Sequence, residues 1–355
     1  MTKVKIGIIG CGNMAQMAHI PCLQSVEDAK IVALCDFRKE LVNELGKKLG
    51  IKDCLTSVEE LLKLDLDAVY VLTPVHCHLD NIKAALTAGK HVFTEKPAAM
   101  CAESVRELQQ VAKQAGKNVI LGYMKQHEAN IAGLKKIQNE SDWGKLLFVR
   151  THSFIGSHWD AAIGDLVKPV SSSEVPPFIP SVLDLGPEWL DITRDENFYS
   201  FENPFFGLLD TGCHSVNLLR HLTGITPEVT GAKSLGGVRL VDFSFDGVPG
   251  VMEFCVNFAM HRWDEVTELY YEKASIVIKT PPPLDMQTSA QVEVYSEDGA
   301  LHQNLILEDN RQWAFRLQAE AFISQVKSGD VISDLEEAKK DIELIEKIYK
   351  LEKGI

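Results

Sequence analysis

Lysine and arginine are in short supply. Thirty-six of them stand against 50 aspartates and glutamates, a formal charge of −14. Nucleic acids and anionic membrane surfaces are bound through dense basic patches, so neither is an expected partner. Cysteine pairs are missing as well. Cys11, Cys22, Cys35, Cys54, Cys77, Cys101, Cys213 and Cys255 are scattered singly with no C-x-x-C, which argues against a disulfide framework and fits a reducing compartment. No apolar run approaches membrane-spanning length, and Met1-Thr2-Lys3 enters the apolar run from Val4 without a signal-peptide layout, so the expected location is the cytoplasm. What remains is ordinary for a globular protein: 45% hydrophobic and 24% charged residues in 355, enough for two domains with buried cores.

The first third alternates strand-like and helix-like segments joined by short loops, which predicts a doubly wound parallel sheet. Residues 4–9 form a β-rich run that leads into Gly10-Cys11-Gly12-Asn13-Met14-Ala15, followed by a helical stretch to about Ile20 that Pro21 ends or kinks. This is G-x-G-x-x-A between strand and helix. Gly10 permits the tight turn, Gly12 lets the backbone approach a pyrophosphate, and Ala15 allows close helix–strand packing. The helix amino terminus, at Asn13 and Met14, offers N–H groups to phosphate. A second strand, 30–35, ends in Asp36, at the spacing where a carboxylate meets the adenine ribose hydroxyls. Asp36 favours NAD, whereas Arg38 could stack on adenine or receive the extra phosphate of NADP, so NAD is the expected cofactor and NADP the other option. Helices are expected over 39–49, from a Ser57/Glu60 capping box to about 64, through 88, and over 101–115; strands over 68–72 and 118–121. His76, Cys77 and His78 lack distant partners at metal-ligand spacing, so no metal is expected there. Val92-Phe93-Thr94-Glu95-Lys96-Pro97 reads as a strand ending in chemistry, with Lys96 at the carboxyl end, where open α/β sheets bind ligands.

Beyond Lys125 the pattern changes to a helix (128–140), a strand (145–153), a helix over 210–222 and a run of consecutive strands, closed by helices near 312–327 and 334–351. The expected fold class is therefore α/β: an N-terminal Rossmann domain, 1–124, plus a C-terminal α+β domain, 125–355, with a large open, mostly antiparallel sheet. Such a broad face calls for burial, and a homodimer or homotetramer through the C-terminal sheet is expected. Asp210 and His214 are four apart and share one face of a helix, with Gly212 between them leaving room for a ring to approach. His214 can act as a base near neutral pH with Asp210 to orient its imidazole, or the two can be an exposed helical pair or a core histidine. Tyr123 and Lys125 follow the last strand of the first domain, and His152 lies in the first strand of the second; with His214 they are the candidate substrate-binding residues. Residues 154–206 form a long insertion, expected to be a partly ordered arm bordering the substrate site because of its aromatics, among them Trp159, Trp189 and Tyr199.

These residues resemble the Gfo/Idh/MocA family of glucose-fructose oxidoreductases and inositol dehydrogenases. The carriers are Gly10 to Ala15, Thr73-Pro74 with His78, Ala88-Gly89-Lys90-His91-Val92 running into Glu95-Lys96-Pro97, Gly122-Tyr123-Met124, and Asp210-Thr211-Gly212-Cys213-His214. The resemblance implies a nicotinamide-dependent oxidoreductase acting on a sugar, cyclitol or related polyol. It implies that Lys96 is the catalytic lysine with a cis bond to Pro97, that His214 is the general acid/base partnered by Asp210, and that Thr73, Pro74, His78, Glu95 and Lys96 line the cofactor. The chain departs from the pattern at Asn217, where many members carry an acid. Two other readings are a non-catalytic sugar- or cofactor-sensing regulator and a glycosidase that recycles a tightly held NAD; a zinc hydrolase comes last.

Overall fold

The computed structural model describes residues 2–157, 168–174, 186–190, 203–298, 301–307 and 312–355. Most of the 154–206 insertion, Trp159 and Tyr199 included, lies outside them. The chain forms two compact units. The first unit holds Met1–Gly122, Phe315–Ile342 and the described residues within Asp165–Phe206, and the rest of the chain makes up the second. Neither unit is one continuous stretch, unlike the expected 1–124 and 125–355, because part of the chain's end returns to the first.

In the first unit, β1 (Val4–Ile9), β2 (Ala29–Cys35), β3 (Asp53–Leu55), β4 (Ala68–Val71), β5 (His91–Thr94) and β6 (Val119–Leu121) form one sheet in the order β3-β2-β1-β4-β5-β6, parallel throughout. Strand order reverses between β1 and β4, and that crevice at the carboxyl ends is where such sheets take ligands. The helices are α1 (Ile20–Ser25), α2 (Lys39–Leu49), α3 (Val58–Leu62), α4 (His78–Thr87) and α5 (Ala102–Ala115). The Ser57 hydroxyl caps α3 by accepting from the Glu60 amide. Pro21 does not end the first helix. The helix runs on through a π-helical turn over Ala15–His19 into α1, and Pro21, which has no N–H to give the preceding turn, follows that widened turn.

Tyr70 and Phe93 stack at 4.4 Å on β4 and β5, and Phe322 of α8 (Ala314–Ser328) meets both edge-on. This aromatic cluster binds α8 to the sheet. The edge strand β6 is covered rather than open: Ile332 and Asp334 pair with the backbone of Val119, the Asp334 carboxylate accepts from the Leu121 amide at 3.0 Å, and Gln318 donates to the Leu121 carbonyl.

The second unit contains α6 (Ala129–Glu140), α7 (Cys213–Thr223), and β7 (Leu146–Gly156) through β14 (Leu301–Leu307) in an eight-stranded sheet. The intervening strands are β8 (Glu228–Leu235), β9 (Val238–Phe245), β10 (Val248–Asn257), β11 (Asp264–Tyr271), β12 (Ala274–Lys279) and β13 (Gln291–Asp298). Their order is β14-β13-β12-β11-β7-β10-β9-β8, antiparallel apart from β7 beside β10. Ile131 and Leu134 of α6 and Leu218 and Leu222 of α7 pack on Leu269, Ile276, Ile278, Val292 and Val294, which alternate along β11, β12 and β13. One sheet face is thereby covered. The helix α9 (Leu335–Lys353) closes the chain, and no helix among the described residues is long and apolar enough to cross a membrane.

Candidate functional site

The glycine-rich turn has the shape its sequence requires. Gly10 has φ of +91°, and a Cβ there would lie 2.7 Å from the Leu72 carbonyl and the Thr73 nitrogen, so β1 and β4 could not close together around any other residue. A Cβ on Gly12 would meet nothing within 4 Å. Open space beside bare backbone, next to the first turn of a helix, is what a pyrophosphate needs. Asn13 is exposed, Met14 half-buried and Ala15 buried. The residues present therefore fit a dinucleotide.

Asp36 is buried at the end of β2. Its carboxylate accepts from the Cys11 amide at 2.8 Å, from the Arg38 amide at 3.0 Å, and from the Arg38 guanidinium through Nε and Nη2, both at 2.8 Å. Burial alone would raise its pKa, but these donors outweigh it and hold the carboxyl below its ordinary range. Arg38 also lies 5.1 Å over the ring of Phe37. Asp36 and Arg38, which the sequence set against each other as arguments for NAD and NADP, are thus a single ion-paired unit.

At the carboxyl end of β5 the Lys96–Pro97 bond is cis, as the resemblance implied. Lys96 is half-buried, and the residue before it organises the corner. Glu95 accepts from the Lys96 amide at 3.1 Å and meets His19 Nε2 at 2.7 Å. His19 in turn is wedged among Tyr70, Phe93 and Phe315. A Cβ on Gly122 would come within 2.9 Å of the Glu95 carboxylate, so the glycine after β6 makes the carboxylate's space. Burial would push the Glu95 carboxyl up, yet His19, with Lys96 beside it, brings it below the ordinary value. The sequence reading missed His19, whose only signal was its place on the helix after the glycine-rich turn.

His78 is buried, and its ring nitrogens meet the Pro97 and Thr73 carbonyls at 2.8 Å each. It ties the Thr73-Pro74 turn to the loop after Lys96 and acts on both through backbone. A neutral imidazole donates only once, and burial pushes the His78 pKa down, so one of these two contacts lacks its proton at neutral pH. His76 is also depressed by burial, to about 4. No group of three or more His, Cys, Asp or Glu placed to hold a metal occurs among the described residues.

Glu95→Gln is expected to destabilise the protein by about 2 kcal/mol at neutral pH, the scale of a hydrogen bond to a charged group. A carboxyl whose native pKa lies below its unfolded value leaves the unfolded chain binding more protons, so stability rises with pH. The wild-type advantage should be complete above the ordinary glutamate value of 4.5 and fade as pH falls through the lower native value. Urea unfolding of both proteins across that range measures it; a pH-independent difference would contradict the His19–Glu95 account.

In the second unit, Asp210 lies in a π-helical turn, Leu208–Gly212, and His214 follows it at the start of α7. The turn after the glycine motif is π-helical too, and π-turns concentrate at functional sites. Tyr123 meets the His214 ring edge-on at 6.2 Å. The Ser215 and Ser153 hydroxyls are 2.9 Å apart, and Gln126 donates to Asn217 at 2.6 Å, which fixes α7 from two sides. Gly212 does not leave room for a ring: a Cβ there would be 2.8 Å from Leu208 and 3.7 Å from Phe254, so its bareness serves helix packing.

Two of the candidate substrate-binding residues have partners within the second unit. Lys125 is buried and its ammonium pairs with buried Glu265, whose other oxygen accepts from Thr280 at 2.7 Å. Alternation along β11 turns Glu265 inward with Thr267 and Leu269, which gives Lys125 an internal partner. His152 is on the other side of the sheet from His214. Ser153 faces α7, so strand parity sends His152 outward, where it meets Glu253 at 2.6 Å and stacks on Phe154 at 4.5 Å.

Residues 4–123 match a family described as an oxidoreductase family with an NAD-binding Rossmann fold. The myo-inositol 2-dehydrogenase of Thermotoga maritima is 29% identical over 143 residues, 40% of this chain and 42% of that protein. The D-glucoside 3-dehydrogenase of Escherichia coli is 34% identical over 123 residues, 34% of each chain. The chain spans less than half the length of the curated relatives it matches. Among solved structures, KijD10, a 3-ketoreductase from Actinomadura kijaniata in complex with NADP and TDP-benzene, superposes with a TM-score of 0.72 at 19% identity over 98% of both chains. The aldose-aldose oxidoreductase of Caulobacter crescentus, complexed with glycerol, gives 0.75 at 19% identity over 99% of this chain and 98% of that one. At these identities the structural likeness shows a shared fold.

Proposed function

We propose, from the match of residues 4–123 to the NAD-binding Rossmann fold of the Gfo/Idh/MocA oxidoreductase family, that this chain transfers a hydride between a nicotinamide dinucleotide and a secondary alcohol or ketone of a sugar, cyclitol or related polyol. The observation that carries the reading is the pairing, within one unit, of an open glycine-rich turn with Lys96 at the carboxyl end of β5 on a corner built by Glu95, His19 and His78. A dinucleotide whose pyrophosphate lay on that turn would supply the hydride acceptor or donor through its nicotinamide.

The protein's own residues do the rest. Lys96 holds and polarises the reacting oxygen. His214 moves the hydroxyl proton, and Asp210 orients the imidazole. Asp36 faces the ribose of NAD or NADP together with Arg38. A thermal-shift comparison of NAD, NADH, NADP and NADPH, followed by a sugar and polyol panel read by nicotinamide absorbance, tests the reading. No stabilisation by any dinucleotide would refute it.

The proposed partner is a second copy of the chain, through the outer face of the eight-stranded sheet. Across that face run Asp242, Val251, Arg150, Glu268, Val277, Glu293 and Ile306 in one register row. Arg150 bridges Glu253 and Glu268, and Leu240, Tyr270 and Tyr295 keep 54%, 39% and 39% of their surface exposed. Aliphatic and aromatic surface around a half-buried charge network suits a self-complementary contact. Light scattering at micromolar concentration is expected to give a dimer or tetramer, and Val277→Asp to shift it to monomer; a monomeric wild type would sink the proposal.

A further inference from the structure

The first turn of the nucleotide site is clasped by a segment from far along the chain. Gln16, buried on the π-turn after the glycine motif, donates from Nε2 to the Cys11 carbonyl at 2.9 Å and to the Val170 carbonyl at 3.0 Å. The Val170 amide donates back to Gln16 Oε1 at 2.8 Å. One carboxamide thus satisfies both polar groups of a peptide 154 residues away, as a strand neighbour would. This orientation of the amide is the one its partners demand, because the Val170 N–H needs an acceptor and the two carbonyls need a donor.

The same circuit closes at the other side of the turn. The Cys11 amide donates to Asp36, and Asp36 grips Arg38 through two guanidinium nitrogens. Four residues after Val170, Glu174 adds its charge to those that favour the Arg38 cation. Its carboxylate is preset: the Ser172 hydroxyl donates to it at 3.0 Å and accepts from the Glu174 amide at 3.1 Å. The segment from Val170 to Glu174 is therefore anchored to one flank of the glycine-rich turn and charge-matched to the other. A short, pre-bent piece of chain held at one end by two part-buried hydrogen bonds to a single side chain, with a charge opposite to that of Arg38 at the other, is a fastening on the turn.

We propose that the segment from Val170 to Glu174 is part of the dinucleotide site, a clasp on the glycine-rich turn whose release from Gln16 governs cofactor exchange. The proposal rests on the dinucleotide-binding reading above. It makes Gln16 and Val170 positioning residues for the turn and predicts a cofactor that leaves slowly. Slow release is a property a protein needs if the same dinucleotide is to serve successive half-reactions.

The experiment uses the full chain loaded with NADH, chased with excess NAD, with release followed by nicotinamide fluorescence in a stopped-flow instrument. Gln16→Leu removes three hydrogen bonds at similar volume, and Val170→Pro removes the N–H that donates to Gln16 and fixes φ there, leaving the glycine motif untouched. Each is expected to speed NADH release by about tenfold or more, since interface changes act mainly on dissociation. The double variant should release no faster than the faster single one, because both break one clasp, and Val170→Ala should match the wild type. Wild-type release rates in Val170→Pro, or additive effects in the double variant, would overturn the clasp. If Gln16→Leu does not fold, Val170→Pro decides alone. Absence of NADH binding by the wild type would instead refute the dinucleotide reading itself.

Discussion

Lys96→Ala is expected to lower turnover by on the order of a hundredfold or more while dinucleotide binding survives, the usual scale for removing a group that stabilises charge in the transition state. The separation of the two effects follows from how the corner is built. Glu95 is held by His19 and by the Lys96 backbone amide, not by the side chain that is removed. His78 bonds the Pro97 carbonyl, and Pro97 to Met100 are buried. The loop after β5 thus keeps its support when the ammonium is gone. Lys96→Ala should therefore melt within a few degrees of the wild type and bind NADH normally, with the loss confined to kcat. A variant that loses NADH binding and turnover together would mark Lys96 as a cofactor ligand instead.

His214→Ala is expected to cost a similar factor, by removing the proton acceptor. The helix that carries it has its own anchors, Ser215 on Ser153, Asn217 on Gln126 and Gly212 against Leu208 and Phe254, so the backbone there should hold. The diagnostic is the pH profile: the wild type should lose activity where a histidine protonates, and the alanine variant should lose that limb together with most of its rate. Near-normal turnover in the variant would remove His214 from the mechanism and leave Asp210 without its proposed task.

Much of the fold was legible because its signals are local. The order of strand, glycine turn and helix, the caps at Gly50, Gly89 and Gly116 with their positive φ, and the Ser57/Glu60 capping pattern each lie within a few residues, and each appears where expected. β3 escaped because three residues, Asp53–Leu55, carry too little pattern to announce a strand. The two π-turns escaped because a 3.6-residue period cannot register a single wider turn. The side of the sheet that His152 faces was hidden for a subtler reason. Arg150, His152 and Phe154 alternate with Thr151, Ser153 and Ile155, two rows of similar polarity, and only the Ser153–Ser215 contact says which row faces the helices. Lys125 with Glu265 and Gln16 with Val170 are 140 and 154 residues apart, and nothing in either residue's neighbourhood names its partner. Conversely, the position of Asp36 just after the second strand could be read from spacing, while its grip on Arg38 needed the turn at Phe37 to be seen in three dimensions.

Lys96 is proposed to serve a dinucleotide-dependent hydride transfer on a sugar or polyol. The measurement that reaches it most directly is nicotinamide absorbance across a sugar and polyol panel, run in parallel on wild type and Lys96→Ala at saturating dinucleotide. At least one substrate is expected to give turnover in the wild type that falls by on the order of a hundredfold in the variant, with dinucleotide binding equal in the two. Equal rates in the two proteins, with dinucleotide bound to both, would contradict it.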